Sequence, residues 1–300
     1  MNKITNELNL GKILCSDGAW GTYLFKKGLK SGSCPEYWNI IREEDVYDIA
    51  KSYVESGADI IETNSFGANK FKLSEFGLID KIFEINLKAA EISRRVAGES
   101  KFVMGSIGPS GKFLIMSDVT EDQLYESYKE QSTALKKGGA DAICLETFYA
   151  LDEAELAIKA VKENTDLEII CTFSFDKMQD GSFKSMMGIS PQKMTESLIE
   201  LGVDIVGANC GVGFSAMINI IKGIREVSKE VPILIQANAG LPEFKDGKLI
   251  YSETPEIIKD IVPKFIDEGA NIIGGCCGTT PEHIKTISKI ISEYNSNKIL

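Results

Sequence analysis

The stretch Glu268-Gly-Ala-Asn-Ile-Ile-Gly-Gly-Cys-Cys-Gly-Thr-Thr-Pro-Glu-His283 contains a full passage from helix to strand to helix. Glycine just past a helix end takes a left-handed cap, so Gly269 closes one helix. Asn271 to Gly275 is a short apolar, β-branched run bounded by glycine, which reads as a buried strand. Thr280 then fits an N-cap and Pro281 the first turn of a new helix. Two other helix ends repeat the opening phrase, Glu55-Ser-Gly-Ala-Asp59 and Lys137-Gly-Gly-Ala-Asp141. These glycines read as structural and imply no chemistry. Working outward, strand-length apolar runs recur at Ile13–Ser16, Asp59–Thr63, Phe102–Ile107, Ala142–Glu146, Glu168–Ser174, Asp204–Asn209, Ile233–Ala237 and Asn271–Gly275. Stretches of helical period separate them: Glu44–Ser56, Lys81–Ala97, Glu121–Lys137, Ala150–Asn164, Pro191–Leu201, Phe214–Ser228 and Pro255–Glu268, with a last helix over Pro281–Tyr294. Alternation of this kind predicts an α/β protein, a (β/α)8 TIM barrel. No linker or composition shift divides residues 1–300, so one domain is expected, with residues 1–10 forming a short arm or helix.

Composition narrows the function. The net charge of -11, with Lys and Arg scattered, argues against a nucleic-acid surface, which needs clustered cations to neutralise phosphates. No apolar run reaches transmembrane length and the N-terminus lacks the apolar segment of a signal peptide, so a cytoplasmic protein with no membrane partner is expected. Seven cysteines without secretory context read as reduced thiols. The single histidine, His283, rules out a multi-histidine metal site. It sits at a helix start without a Gly-x-Ser-x-Gly elbow, so Ser-His-Asp hydrolysis is not supported.

The adjacent Cys276 and Cys277 suggest a metal. Within a strand, neighbouring side chains face opposite ways, but at a strand end the alternation lapses, and Gly274, Gly275 and Gly278 permit the dihedrals that aim both sulfurs at one point. Cys210, in Gly207-Ala-Asn-Cys-Gly-Val-Gly213, ends another apolar strand and is the third candidate ligand. Three sulfurs leave one corner of a tetrahedral zinc site open, the mark of a catalytic rather than a structural centre. The expected cofactor is one Zn²⁺ per chain on Cys210, Cys276 and Cys277, which are also the expected catalytic residues. Cys15, Cys144 and Cys171 lie within strands and Cys34 in a loop, and they are assigned to packing or an inert thiol.

Barrel enzymes place their chemistry at the C-terminal ends of the strands. That rule gathers Asp17-Gly-Ala-Trp20, Glu62, Glu146, Asn209-Cys210, Asn238 and Cys276-Cys277 on one rim. Three thiolates make zinc a poor Lewis acid for water and a good holder of a fourth thiolate, which favours sulfur chemistry: a substrate thiol bound there stays electron-rich enough to attack carbon. Asp17 and Glu146 are candidates for binding the ammonium of an amino-acid thiol, and the amides of the Gly18-Ala19-Trp20 turn for binding its carboxylate. Asn209 and Asn238 are further candidate substrate-binding residues.

The segments DGAWGT, ETNSFGAN, GSIGPSGK, GANCGVG, LIQANAG and GGCCGTTPEHI together resemble the zinc-dependent homocysteine S-methyltransferase family, and within it the homocysteine-binding module of cobalamin-dependent methionine synthase, from about Leu10 to Ile290. The resemblance implies that Cys210, Cys276 and Cys277 bind zinc and that Asp17 and Glu146 contact homocysteine. It also implies that Asn238 matches an asparagine able to occupy the zinc position when substrate is absent. Betaine-using relatives carry tyrosines where this chain has Thr147 and Gly67, so the aromatic cage for a quaternary ammonium is not evident. The GPSGK loop, the LIQANAGLPE run and Asn238 point to the corrinoid branch. The Asp-x-His-x-x-Gly corrinoid signature is missing, since Ile-Lys-Thr follows the sole histidine. Methylcobalamin, if it is the donor, is therefore expected on a separate corrinoid protein, and S-methylmethionine is the other donor considered. The alternative readings are a catabolic demethylase component passing methyl groups from a corrinoid partner to another thiol, and a non-catalytic zinc-binding scaffold.

Overall fold

The computed structural model describes residues 3–245 and 248–298. Eight parallel strands form one sheet: β1 Leu14–Cys15, β2 Ile60–Glu62, β3 Phe102–Ile107, β4 Ala142–Phe148, β5 Glu168–Phe173, β6 Ile205–Gly213, β7 Ile233–Asn238 and β8 Ile272–Gly275. Their order around the sheet follows the chain, with β1 against β8, and a parallel bridge between Ser16 and Ile60 joins β1 to β2 and closes the (β/α)8 barrel. Side chains from all eight strands fill the interior, among them Leu14, Ile60, Met104, Cys144, Ile170, Ile205, Leu234 and Ile272. The helix Ile4–Asn9 plugs the N-terminal end of this interior with Ile4 and Leu8. Its first amides are held by Glu168, which accepts from Ile4 N at 2.6 Å and Thr5 N at 3.2 Å. Among the described residues, no helix is long and apolar enough to cross a membrane.

Each expected strand is present, the third at its expected bounds and the others with ends shifted by one or more residues. The first is shorter than expected, and the fourth and sixth run on to Phe148 and Gly213 through irregularities in their pairing. The helix expected over Pro255–Glu268 is two pieces, Pro255–Ile258 and Val262–Asp267. Pro263 explains the break, because it has no N–H to continue the ladder and its ring crowds the preceding turn. Elements without apolar periodicity were not foreseen: the helices Trp20–Lys26 and Trp38–Ile41, and the hairpins Asp176–Lys177 with Phe183–Lys184 and Pro242–Lys245 with Lys248–Tyr251.

The repeated helix-end phrase does more than turn the chain. Gly57, Gly139 and Gly269 have φ of 97°, 101° and 98°, and a fourth copy, Gly202-Val-Asp204, has φ 70° at its glycine. The acid or amide that follows makes a reciprocal pair with the neighbouring strand. Asp59, Asp141, Asp204 and Asn271 donate their backbone N–H to the carbonyls of Cys15, Val103, Ile169 and Ile233. Their side chains accept the backbone N–H of the same four residues, at 3.1, 2.8, 2.8 and 2.9 Å. These clamps tie β1 to β2, β3 to β4, β5 to β6 and β7 to β8 at the end of the barrel remote from the cysteine cluster.

Candidate metal centre

Cys210 lies in a bulge of β6. Asn209 pairs with Gln236, but the next registered pair is Gly213 with Asn238, so this strand carries two residues more than its neighbour. Cys210 itself has φ 57° and Gly211 φ 68°. A non-glycine residue in the left-handed region costs roughly 1–2 kcal/mol, and a bulge re-aims a side chain. Here it carries the sulfur toward β8. A Cβ on Gly211 would come within 2.3 Å of the Phe175 carbonyl, so only glycine fits next to the turned cysteine.

Cys276 and Cys277 follow the end of β8 in a turn pinned to β7. Cys276 N donates to Ala237 O at 2.7 Å and Ala239 N to Cys277 O at 2.9 Å. The neighbouring glycines serve two different needs. Gly278 has φ 81°, as expected, whereas Gly274 and Gly275 supply space rather than unusual dihedrals, since a Cβ there would lie 2.0 Å from Ser16 Oγ and 2.4 Å from Thr279 Oγ1.

The three sulfurs lie within 4.8 Å of one another, and Cys210 and Cys277 are 3.9 Å apart. Zn–S bonds of about 2.3 Å in a tetrahedron place sulfurs roughly 3.8 Å apart, so the triad fits zinc. Metal-free, hydrogen bonds from Cys276 and Cys277 pull the Cys210 thiol down to about 3, with Asn238 contributing. The hydrogen bond to Cys210 in turn pushes Cys277 up to about 12 and Cys276 well above the usual thiol range. One negative charge is thus favoured on the cluster without a metal, and a divalent cation would stabilise the other two.

Beside the sulfurs opens a cavity of about 330 Å³, lined by the three cysteines, Gly18, Ala19, Trp20, Glu62, Glu146 and Gln236 among others. That volume is at the lower end of the range for small-molecule sites. Glu146 accepts hydrogen bonds from Ser106 Oγ and, at 3.1 Å, from Asn209 Nδ2. Asp17 lies behind Gly18 and Ala19. Its Oδ2 accepts from Trp20 Nε1 and Glu62 N, both at 2.9 Å, while its buried Oδ1 has no partner. Burial pushes both carboxyls up to about 7. Burial, with the charges of Glu146 and Asp17, raises Glu62 further.

The other expected contacts are placed as follows. Asn209 spends its side chain on the protein, accepting from Thr147 N and Thr172 Oγ1 and donating to Glu146 Oε2 and Thr147 Oγ1, so it holds Glu146 from beneath. Asn238 stands next to Cys210 with its Oδ1 unpartnered. Ala19 N donates to Thr279 Oγ1 at 3.1 Å, which removes one of the turn amides assigned to a carboxylate. Cys15, Cys34, Cys144 and Cys171 are buried away from the cluster, and burial pushes Cys34 up to about 12. His283 is a buried tie: its Nδ1 accepts from Thr280 N at 3.2 Å and its Nε2 donates to Glu253 O at 2.9 Å. Two residues of the pocket wall carry no role in the sequence reading: Glu62, which the strand-end rule places on the rim without a partner, and Gln236, which lies inside an expected strand.

Comparison with known proteins agrees with this construction. A family model described as homocysteine S-methyltransferase matches residues 14–291, and the chain belongs to that family. The methionine synthase of Mycobacterium leprae (strain TN) is 29% identical over 308 residues, covering 96% of this chain and 25% of that protein. That of Mycobacterium tuberculosis (strain ATCC 25618 / H37Rv) is 28% identical, covering 94% and 25%. The chain thus spans about a quarter of the length of these relatives. Among solved structures, the metallated homocysteine methyltransferase MmuM from Escherichia coli superimposes with a TM-score of 0.79 at 20% identity, covering 96% of this chain and all of that one. A methyltransferase from Methanosarcina mazei superimposes at 0.59 and 12% identity, covering 95% and 94%. Both share the fold.

Proposed function

We propose that this chain, acting as one catalytic domain in the cytoplasm, transfers a methyl group to the sulfur of L-homocysteine and forms methionine. Zinc would be held by Cys210, Cys276 and Cys277, and when bound it would keep the substrate sulfur as a nucleophilic thiolate near neutral pH. The observation that carries the reading is the juxtaposition of that sulfur triad with Glu146 and Asp17, buried acids for which the described residues provide no ion-pair partner. An ammonium arriving between them would meet carboxyls poised near 7 and draw them to the charged form. Asn209 and Ser106 keep Glu146 in place for that contact. The carboxylate of the amino acid would fall at the turn before the helix Trp20–Lys26, where the first-turn amides have no intrahelical acceptor. With the amino acid anchored at both groups, its thiol would extend toward the cysteines and offer a sulfur lone pair to a methyl donor entering from the open side of the cavity.

The donor proposed is a methylcorrinoid on a separate protein, with S-methylmethionine as the small-molecule alternative. The test is a panel: zinc-loaded protein, homocysteine and each of methylcobalamin, a methylated corrinoid protein and S-methylmethionine, with methionine read by mass spectrometry. Methionine from at least one donor is expected. None from any of them would overturn the reading.

A further inference from the structure

Asp17 and Glu146 account for two contacts to an ammonium, which has three N–H donors to place. Glu62 lines the cavity together with Glu146, while Asp17 stands behind its wall at Gly18 and Ala19. Glu62 ends β2, is 6% exposed, and receives one side-chain hydrogen bond, from Gln236 Nε2 at 3.0 Å across the barrel. Its own backbone N–H donates to Asp17 Oδ2, which fixes the two acids relative to each other. No Lys or Arg among the described residues forms an ion pair with Asp17, Glu62 or Glu146. Lys72, whose charge is felt at Glu146, rests over the Phe66 ring at 4.6 Å. A buried carboxylate without a cation is strongly unfavourable. Glutamine at position 62 would accept the same bond from Gln236 and carry no charge, so the hydrogen bond alone does not explain an acid there.

We infer that Glu62 is the third contact of the substrate ammonium, and that Asp17, Glu62 and Glu146 together select thiols bearing an α-amino group. The unpartnered Asp17 Oδ1 supplies one acceptor and the two glutamates the others. Gln236 then acts as the positioning residue that turns Glu62 into the cavity. The inference rests on the homocysteine reading and adds what the pocket rejects: a thiol of the same length lacking the amino group should bind poorly to the native protein.

The experiment compares homocysteine with 4-sulfanylbutanoate, its desamino counterpart, on zinc-loaded wild type and Glu62→Gln. Binding is followed by the fluorescence of Trp20, whose indole bonds to Asp17, and turnover by product mass. Loss of one charge-assisted hydrogen bond predicts that KM for homocysteine rises about 10- to 100-fold. The constants for 4-sulfanylbutanoate, the zinc content and kcat at saturation should change little. Equal losses for both thiols would assign Glu62 a merely structural role, and no change for either would remove it from the site; each overturns the inference. Wild type binding neither thiol would instead sink the homocysteine reading, and the inference with it. Should Glu62→Gln fail to fold, Glu62→Asp keeps the charge and withdraws it by one methylene. The same selective loss is expected there, and an unchanged ratio between the two thiols would again be fatal.

Discussion

Asp141, at the N-terminal end of the barrel, accepts from Val103 N and pairs with Arg94, whereas Asp17, at the opposite end, has a buried oxygen with no partner at all. The contrast holds beyond this pair. Asp59 is matched by Cys15 N and Lys101, and Glu168 by the first amides of the plugging helix. On the rim, Asp17, Glu62 and Glu146 face one another without a cation, and Gln236 and Asn238 also carry unpartnered oxygens. The larger cavity, about 590 Å³, lies at the N-terminal end, lined by Asp59, Arg94, Lys101 and Asp141. Size therefore does not locate the chemistry here. What separates the two ends is whether polar groups are satisfied within the chain or held in waiting for something from outside it.

The largest effect should come from the rim. Replacing Cys276 with Ala removes one of three sulfurs and is expected to lower zinc occupancy and turnover by more than ~100-fold while circular dichroism stays native. Elemental analysis still finding one zinc per chain would break the contrast at its centre. Next is a pH effect on metal-free, substrate-free protein. Asp17 and Glu146 have folded values near 7 against ordinary values of 3.8 and 4.5. The folded state therefore holds their protons more tightly, and the stability they lend is complete below about pH 4 and is lost as pH rises through 7. Urea midpoints should fall between pH 5.5 and 8, and Asp17→Asn should flatten that fall. An unchanged slope in the variant would show that these acids are not the strained ones.

At the other end the expectations reverse. Asp141→Ala strands Val103 N and takes the carboxylate from Arg94, whose guanidinium keeps the carbonyls of Gly139, Gly98 and Lys101, and should cost about 1–3 kcal/mol in urea unfolding with activity per folded molecule unaltered. Activity falling with stability retained would join the two ends functionally. Smallest is Lys101→Met, which removes a partly exposed ion pair to Asp59 and should shift stability by no more than ~1 kcal/mol.

Local pattern revealed the parts of the molecule that depend on local pattern. Eight apolar runs, the helix caps and the convergence of Cys210 with Cys276 and Cys277 follow from period, turn chemistry and the barrel rule, and the structure brings those sulfurs together. What stayed hidden depends on partners far along the chain. Asp59 reads as the start of a strand until its partner at position 15 is known, and Glu62 as a rim acid without a role until Gln236 is seen across the barrel. The bulge that turns Cys210 left-handed is likewise set by two residues more than β7 offers, a mismatch visible only once the strands are aligned. Pro263, by contrast, was a legible break, overridden by the helical period around it.

The reciprocal clamps have one more consequence, at the seam between β1 and β2. Every other pair of neighbours in the barrel shares a run of registered residues, yet this seam has a single bridge, Ser16 with Ile60, beside the two bonds between Asp59 and Cys15 and the one from Glu62 N to Asp17 Oδ2. The hoop is fastened at its thinnest join by two aspartates, Asp59 at one end and Asp17 at the other. Slackening there would part β1 from β2, and with β1 the Ser16-Asp17 segment against which Gly274 packs at the edge of the cysteine-lined cavity. Amide exchange at Cys15 and Asp59 would thus report the opening of the whole cylinder before any other pair of sites.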